Sequence, residues 1–274
     1  MAFTVDDLAR DFCELGVEPG DIIYLHSSLK SVGECENGAD TVIDALLKVI
    51  GPEGTLAVPT HTYSVPGGKR PFTMDEPSVV GHITNVLRQR PGAVRSCSAT
   101  HSSAAIGKYA KELMENQCMT YPLAPESPLA RVVQRNGKIL LLGVGHTANT
   151  AIHMAETLAD TGYTAVPFDG NPEKLAWYLD ENGREVFIEQ TEIPGCSRLF
   201  GVMEGILKLA GITRYGVVGE AVSQLMTASE LIDKTVEILR QTPDFLLCYD
   251  PKCPVCRKRR EYLKKKESSR RESV

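Results

Sequence analysis

The stretch Lys138–Asp160, KILLLGVGHTANTAIHMAETLAD, joins a strand pattern to a helix pattern through a glycine-rich turn. Its opening run of apolar residues is typical of a strand that is buried on both faces of a sheet. The apolar residues after the turn recur at helical spacing. A strand, a glycine turn and a helix in this order favour an α/β fold, in which functional groups gather beyond the carboxyl ends of the strands.

The turn itself has three interpretations. The letters GVGHTA fit the dinucleotide-binding fingerprint G-x-G-x-x-A, although the motif lies in the middle of the chain and only Asp169 offers the acidic residue expected farther on. Alternatively, Thr150, His153 and Glu156 share one face of the helix, where a histidine can accept a proton near neutral pH. The third interpretation is a buried histidine bound to a backbone carbonyl, and helical spacing alone does not decide among the three.

The remainder of the chain extends the alternation of strands and helices. Strands are predicted at DIIYLHSS, PEGTLAVPTHT, TAVPFDG and GREVFIEQTE, and helices at VDDLARDFCELG, GADTVIDALLKVIG, VVGHITNVLRQRPG, APESPLARVVQRNG, CSRLFGVMEGILKLAG and MTASELIDKTVEILRQ. AVRSCSATHSSAAIG is interpreted as a short strand and loop that lead into a helix of small residues. The pattern predicts an α/β fold of one domain, residues 1–258, with a mixed, largely parallel central sheet flanked by helices.

The charge of the chain is unevenly distributed. The net charge is −5, but the end of the chain, RKRREYLKKKESSRRESV, is strongly basic. We interpret residues 259–274 as a basic tail, a solvated helix end and not a nucleic-acid surface, because no basic surface interleaved with aromatic residues accompanies it. The acidic remainder suits a cationic substrate. The sequence has no run of about 18 apolar residues that would span a membrane, and its acidic N-terminus is unlike a signal peptide, so we expect a cytoplasmic protein.

Four of the eight cysteines form a spacing pattern that is typical of metal sites. Cys248, Cys253 and Cys256 give C-x4-C-x2-C, and Cys196 precedes them by some fifty residues. Paired cysteines at this spacing aim two thiolates at one ion, so the four residues predict a structural zinc site that pins the C-terminal segment. The alternatives are a redox dithiol of Cys253 and Cys256, or four unliganded thiols.

Six motifs together resemble the aminoglycoside 3-N-acetyltransferase family. In chain order they are LHSSLKSVG, GPEGTLAVPTHT, FTMDEPSVVGHI, PGAVRSCSATHSSAAIG, ESPLARV and ILLLGVGHTANTAIHMAE, and the resemblance runs from about residue 5 to about residue 256. It implies transfer of an acetyl group from acetyl-CoA to the 3-amino group of the deoxystreptamine ring of an aminoglycoside, which confers antibiotic resistance. The implied partners are a small cationic aminoglycoside and CoA, with no nucleic acid and no membrane, and the protein would be a monomer or a homodimer.

The resemblance also implies roles for particular residues. His153 matches the family's catalytic base, and Glu192, with Glu189 as the second choice, matches the carboxylate that orients it. The implied CoA-binding residues are Ser28, Leu29, Ser31, Val32, Ser102 and Ser103. Asp75 and Glu76, at the end of a long loop, are candidates for contacts with the antibiotic.

Other functions remain as alternatives to this assignment. An enzyme of the same fold could acetylate another small amine. The glycine turn is also compatible with a nicotinamide-dependent oxidoreductase. The cysteines are also compatible with a zinc-stabilised interaction module that has no catalytic activity.

Overall fold

We describe the protein from a computed structural model, over residues 1–62, 71–115, 117, 121–167, 175–180 and 182–272, with side chains to residue 269. The strands within these ranges are β1 Ile22–Ser27, β2 Thr55–Pro59, β3 Val94–Arg95, β4 Ser103–Gly107, β5 Lys138–Leu142, β6 Leu175–Leu179, β7 Glu185–Glu189, β8 Arg214–Val218 and β9 Ala221–Thr227. The α-helices are α1 Val5–Leu15, α2 Leu29–Val32, α3 Ala39–Ile50, α4 His82–Gln89, α5 Ala110–Met114, α6 Pro128–Gln134, α7 Ala151–Leu158, α8 Met203–Leu209, α9 Ala228–Gln241 and α10 Pro254–Glu272. Short 3-10 helices occupy His146–Ala148, Tyr163–Ala165 and Phe200–Val202.

A mixed sheet organises the domain. Its strand order is β3-β4-β2-β1-β5-β9-β8, and β6 and β7 form a separate two-stranded sheet. Strand β1 is parallel to both β2 and β5, whereas the four remaining pairings of the large sheet are antiparallel. The predicted mixed α/β domain is therefore confirmed. Its parallel part is the central trio β2-β1-β5, and antiparallel strands extend it on both sides.

Both faces of the large sheet are buried, because successive residues of a strand point to opposite sides. Ile22 and Tyr24 of β1 belong to the core on one face, together with residues of α6, α7 and α9. Ile23 and Leu25 belong to the core on the other face, together with residues of α1 and α3. A strand that is buried on both faces reads as a nearly continuous apolar run, as β1 and β5 do.

Two predicted elements differ in the structure. The segment Ser103–Gly107 is strand β4 and not the start of a helix, because it pairs with β2 on one side and with β3 on the other. The described part of TAVPFDG forms a 3-10 helix at Tyr163–Ala165 and not a strand. Strands β8 and β9 are not predicted from the sequence. They lie largely between the predicted helices CSRLFGVMEGILKLAG and MTASELIDKTVEILRQ.

The basic C-terminal segment belongs to a helix that contacts the domain. The predicted boundary between residues 258 and 259 falls inside α10, and only 1% of Arg259 is exposed. The segment is therefore not a solvated extension at its start. Within the described residues, no helix has the length and the apolar character that crossing a membrane would require.

Candidate active site

The carboxyl ends of the three parallel strands meet at a cavity of about 280 Å³. Strand β1 contributes His26 and Ser27, and His61 follows the end of β2. The segment after β5 supplies the opposite wall up to His153. The lining residues are His26, Ser27, Pro59, His61, Val80, Thr84, Thr147, Ala148, Asn149, Thr150, His153 and Ser197. This is the place where open α/β sheets bind their ligands.

The turn after β5 sets the start of α7, on which His153 lies. Gly143 has φ +64°, a left-handed conformation that favours glycine, and a Cβ there would lie 2.4 Å from the Cβ of Ser31. The side chain of Asn149 accepts a hydrogen bond from the Ala151 backbone N–H at 3.1 Å, which supports the first turn of α7. His153 thus faces the cavity from the first turn of α7, which the turn and the 3-10 helix His146–Ala148 connect to the end of β5.

His153 is paired with a carboxylate on its own helix. Its Nδ1 lies 2.6 Å from Oε2 of Glu156, and its ring contacts the edge of Phe200 at a centroid distance of 4.6 Å. A carboxylate at Nδ1 favours the tautomer with the proton on Nδ1, which leaves the Nε2 lone pair available as a base.

Glu156 is held as an anion inside the protein. It is 1% exposed, and its other oxygen, Oε1, accepts a hydrogen bond from the Tyr163 hydroxyl at 2.7 Å and lies 3.9 Å from Nη1 of Arg259. Burial alone would raise the pKa of Glu156, but the interactions with His153, Arg259 and Tyr163 outweigh it and hold that pKa below its usual value.

Among the interactions of the described residues Glu192 has none with His153, so the structure does not show the predicted pairing of these two residues. Oε2 of Glu192 accepts hydrogen bonds from the hydroxyls of Thr157 at 2.7 Å and Thr164 at 2.5 Å. Glu156 occupies the position that was expected for Glu192, because the i, i+3 spacing places it beside the ring on the same helix. Glu189 lies on β7, in the separate two-stranded sheet.

The other histidines around the cavity are poor bases. Burial, with a smaller contribution from His146, lowers the pKa of His26 to about 3. Burial likewise lowers the pKa of His101 to about 3 and that of His146 to about 4, and it holds the pKa of His61 well below its ordinary value. All four are therefore neutral at pH 7 and take up a proton only in strong acid.

The predicted CoA-binding residues fall into two groups. Ser28, Leu29 and Ser31 are partly exposed, at the end of β1 and in α2. The Ser31 hydroxyl donates to Oγ of Ser28 at 2.9 Å and to the Gly143 carbonyl at 3.1 Å, so the turns that follow β1 and β5 are joined.

The second group is enclosed in the protein. Val32 and Ser102 have no exposed surface, and Ser103 is 2% exposed. The hydroxyl of Ser102 bonds with Thr60, and the hydroxyl of Ser103 lies 2.8 Å from the Tyr24 hydroxyl. Direct contact of these three side chains with a ligand does not fit their burial.

The candidates in the long loop are only partly described. Residues 64–70 of the segment from Ser64 to Glu76 lie outside the described residues, as does Asp169 of the dinucleotide interpretation. Asp75 is exposed, whereas Glu76 is 5% exposed and so presents little surface to a ligand. The Arg95 guanidinium donates to the carbonyl oxygens of Met74 and Glu76, both at 2.6 Å, and so ties this end of the loop to the sheet.

The structure brings together the four cysteines that were predicted to bind a metal. The sulfur atoms of Cys196, Cys248, Cys253 and Cys256 all lie within 4.8 Å of one another. A hydrogen bond from Cys256 lowers the pKa of the Cys196 thiol to about 5. The backbone N–H of Arg198 donates to the Cys196 sulfur at 3.5 Å, and that of Cys248 donates to the Cys256 sulfur at 3.3 Å. Such donors stabilise thiolates, which are the form of cysteine that binds metals.

Two functional neighbours of His153 were not assigned from the sequence. The spacing His-x-x-Glu on one helix face was a signal for Glu156, whose role the sequence left open between a partner of His153 and a brace for the helix. Arg259 gave no signal, because it is far from Glu156 in the sequence and belongs to a segment that reads as a solvated tail.

Comparison with known proteins identifies the family of the chain. The family model for aminoglycoside 3-N-acetyltransferases matches residues 24–240. The chain is 30% identical over 237 residues to aminoglycoside N(3)-acetyltransferase IV of Salmonella sp, covering 86% of this chain and 87% of the relative.

Solved structures give the same result. A histidine-to-alanine mutant of aminoglycoside acetyltransferase AAC(3)-IVa in complex with a gentamicin superimposes with a TM-score of 0.83, at 29% identity, covering 95% of this chain and 98% of the other. AAC-IIIb, in a binary complex with CoASH, gives a TM-score of 0.76 at 26% identity, covering 88% and 97%. The chain is therefore an acyltransferase that belongs to the aminoglycoside 3-N-acetyltransferase family.

Proposed function

We propose that the protein transfers the acetyl group of acetyl-CoA to the 3-amino group of the deoxystreptamine ring of an aminoglycoside, with His153 as the general base. The observation that carries this proposal is the His153–Glu156 pair, which faces the cavity at the ends of β1, β2 and β5. The family membership and the complexes of relatives with a gentamicin and with CoASH support the choice of substrates.

The reaction needs one base and no covalent enzyme intermediate. The amine nitrogen attacks the thioester carbonyl carbon, and Nε2 of His153 removes a proton from that nitrogen. The carbon–sulfur bond then breaks, the sulfur takes up a proton, and the products are an N-acetylated amine and CoA. A positioned base contributes about 10²–10⁴-fold to the rate of such a proton transfer.

Glu156 makes His153 a better base. The carboxylate accepts a hydrogen bond from Nδ1–H, and it stabilises the imidazolium that forms when Nε2 takes the proton of the amine. Because Glu156 is buried and ionised, this stabilisation acts where the dielectric is low and water does not screen it.

The cosubstrate site is proposed at the turn that Ser28, Leu29 and Ser31 form. The turn is partly exposed, lies beside the cavity and is held by the bond of Ser31 to Gly143. Backbone N–H groups and hydroxyls in such a turn suit the amides and phosphates of CoA. The acidic body of the chain would attract a polycationic antibiotic, and Asp75 is the exposed acid of the neighbouring loop.

We also propose that Cys196, Cys248, Cys253 and Cys256 hold a structural zinc ion. Four sulfur atoms at a Zn–S distance of about 2.3 Å form a tetrahedron whose S···S edges are roughly 3.8 Å long. The sulfur atoms of Cys196 and Cys248 are 3.8 Å apart. Four thiolates leave no open coordination position, so the ion would stabilise the fold and would not take part in the acetyl transfer.

The proposed activity is tested by thiol release from acetyl-CoA in the presence of a panel of aminoglycosides. Release is expected with at least one antibiotic, and NMR of the product should place the acetyl group on the 3-amino nitrogen. His153→Ala should lower the rate by about 10²–10⁴-fold, whereas the control His82→Ala, at the exposed start of α4, should retain it. The proposal fails if no antibiotic in the panel releases CoA, and the role of His153 fails if the alanine variant remains active.

A further inference from the structure

Arg259 is a buried cation that lies between the catalytic pair and the cysteine cluster. Its side chain is 1% exposed, and Nη2 donates to the Ile193 carbonyl at 2.6 Å. The guanidinium lies over the Tyr163 ring, 5.1 Å from its centre, and Nη1 is 3.9 Å from Oε1 of Glu156. Burying a cation without a counterion is very unfavourable, so Arg259 and Glu156 depend on each other inside the protein.

We propose that Arg259 is a positioning residue for the acetyl transfer. It keeps Glu156 ionised and turned toward His153, and the four-cysteine cluster holds the start of α10 that carries Arg259. This inference rests on the proposed function, because it assigns a role within the same site.

The two oxygens of Glu156 have different partners. Oε2 faces Nδ1 of His153 at 2.6 Å, while Oε1 faces the Tyr163 hydroxyl at 2.7 Å and the Arg259 guanidinium. A carboxylate with both oxygens engaged is restrained from rotating. Arg259 therefore acts on His153 through Glu156 and has no direct contact with the imidazole among the interactions of the described residues.

The charges around the pair indicate what the cation does. With neutral His153, the set of His153, Glu156 and Arg259 has no net charge. The other titratable groups that face the pair are His61, His101, Tyr121, Tyr163 and Glu192. Burial lowers the pKa of the two histidines and raises the pKa of the two tyrosines, so all four are neutral at pH 7, and Glu192 approaches the helix through Thr157.

Without Arg259 the His153–Glu156 pair would carry a net negative charge. Such a pair binds a proton more readily, whichever of its two members holds that proton. Because the reaction requires a proton-free base, the enzyme would then lose activity at a higher pH than the wild type does.

The cysteine cluster lies directly beside the surroundings of Arg259. On α10, Arg259 follows Cys256 by three residues and so lies on the same helix face. On the other side, Ile193 and Gly195 directly precede Cys196, and a Cβ at Gly195 would lie 2.7 Å from Cζ of Arg259. The helix that carries Arg259 and the segment that precedes Cys196 thus each contain a cysteine of the cluster next to the guanidinium, and one ion bound to Cys196 and Cys256 would hold them together.

The first test is the neutral variant Arg259→Met, which keeps the length of the side chain. Its kcat should fall about 10–100-fold with KM for acetyl-CoA within about threefold. The acid limb of its kcat/KM profile should move up by about one pH unit, because a charge within about 4–6 Å shifts a carboxylate by about one to three units. In Arg259→Lys, which keeps the positive charge, the acid limb of the kcat/KM profile should return to its wild-type position. The control Arg257→Met removes an exposed cation of the same helix and should change neither quantity.

The second test does not depend on turnover. The imidazole resonance of His153, assigned with His153→Ala, should titrate at higher pH in Arg259→Met than in the wild type. If Arg259→Met does not fold, Arg259→Gln, which keeps a donor for the Ile193 carbonyl, replaces it. An unchanged titration and pH profile in a folded neutral variant would overturn the proposal. Failure of both neutral variants to fold would make Arg259 a purely structural residue and would also overturn it.

The role of the four-cysteine cluster in the proposal is tested by a separate measurement. After a zinc chelator has removed the metal from the wild type at pH 7, the His153 titration should move in the same direction as in Arg259→Met. An unchanged titration in metal-free, folded protein would remove the cluster from the proposal. An enzyme that acetylates no aminoglycoside would contradict the proposed function, but the NMR titration would still decide the role of Arg259.

Discussion

The Nδ1 atom of His153 lies 2.6 Å from a carboxylate oxygen of Glu156, three residues later on the same helix. The i, i+3 spacing on one helix brings the two side chains to the same face and within reach of each other. The Glu192 carboxylate instead bonds two threonine hydroxyls. The two glutamates therefore differ in what their removal would do.

Glu156→Gln is expected to lower kcat by about 10²–10⁴-fold, because the neutral amide does not stabilise the imidazolium and its NH2 group can donate to Nδ1, which favours the wrong tautomer of His153. KM for acetyl-CoA should stay within about threefold of the wild type. Steady-state kinetics by thiol release measure both constants. The matched variant Glu192→Gln should keep kcat within about tenfold, and the reverse order of the two effects would restore Glu192 as the partner of His153.

Gly143→Ala should destabilise the turn after β5 and weaken the binding of acetyl-CoA. The new Cβ would lie 2.4 Å from the Cβ of Ser31, at a backbone φ of +64°. Strain of this kind costs about 1–3 kcal/mol, which lowers the melting temperature by several degrees. Gly145→Ala is the matched control for stability, because a Cβ at Gly145 meets nothing within 4 Å. Equal melting temperatures of the two variants would contradict this account of the turn.

The purified protein should contain one zinc ion per chain, measured by elemental analysis. Cys253→Ser should lose the ion and lower the melting temperature by roughly 10 °C, since binding of a structural metal contributes directly to the free energy of folding. Cys13→Ser, at an exposed free cysteine, is the control and should keep both the metal and the melting temperature. A metal-free wild type of normal stability would leave the four thiols as ordinary reduced cysteines.

The free energy of unfolding should fall steadily as the pH drops from about 6.5 to about 4. Burial lowers the pKa of His26 and His101 to about 3 and that of His146 to about 4, while the unfolded chain protonates its histidines near 6.5. In this window the unfolded state binds more protons, so stability rises with pH and is lost on acidification. Glu156, whose pKa is lowered, acts in the same sense at lower pH.

Urea unfolding at several pH values measures this slope. His26→Gln should reduce it by about one proton, or about 1.4 kcal/mol per pH unit. The series should be repeated in Cys253→Ser, because thiolates also take up protons on acidification. A stability that is flat from pH 7 to pH 4 would contradict the burial of neutral histidines.

Local patterns predicted the central strands and seven of the helices, α1, α3, α4, α6, α7, α8 and α9, but not α2 or α5. The capped start of α6 is one example, because Ser127 accepts a hydrogen bond from the Ala130 backbone N–H and Pro128 occupies the first helical position. The segment Ser103–Gly107 was misread, because its small residues suit a helix while its position between two strands determines its structure. Tertiary pairing overrides propensity in such segments.

The site was predictable where its residues are near in sequence. His153 and the four cysteines could be found from spacing and resemblance, and Glu156 was available from the helix face. Arg259 could not be found in this way, because its contact with Glu156 depends on how α10 packs against the domain. The burial of Ser102 and Ser103 likewise follows from the placement of β4 and not from the motif that contains them.

The packing of α10 against Glu156 also means that, during synthesis on the ribosome, the site is completed after the sheet. The large sheet is complete at Thr227, whereas Arg259 and the last three cysteines emerge later. A nascent chain can therefore assemble its core while Glu156 still lacks its cation. The chain therefore completes its sheet first, and the surroundings of Glu156 become complete only when α10 has been made.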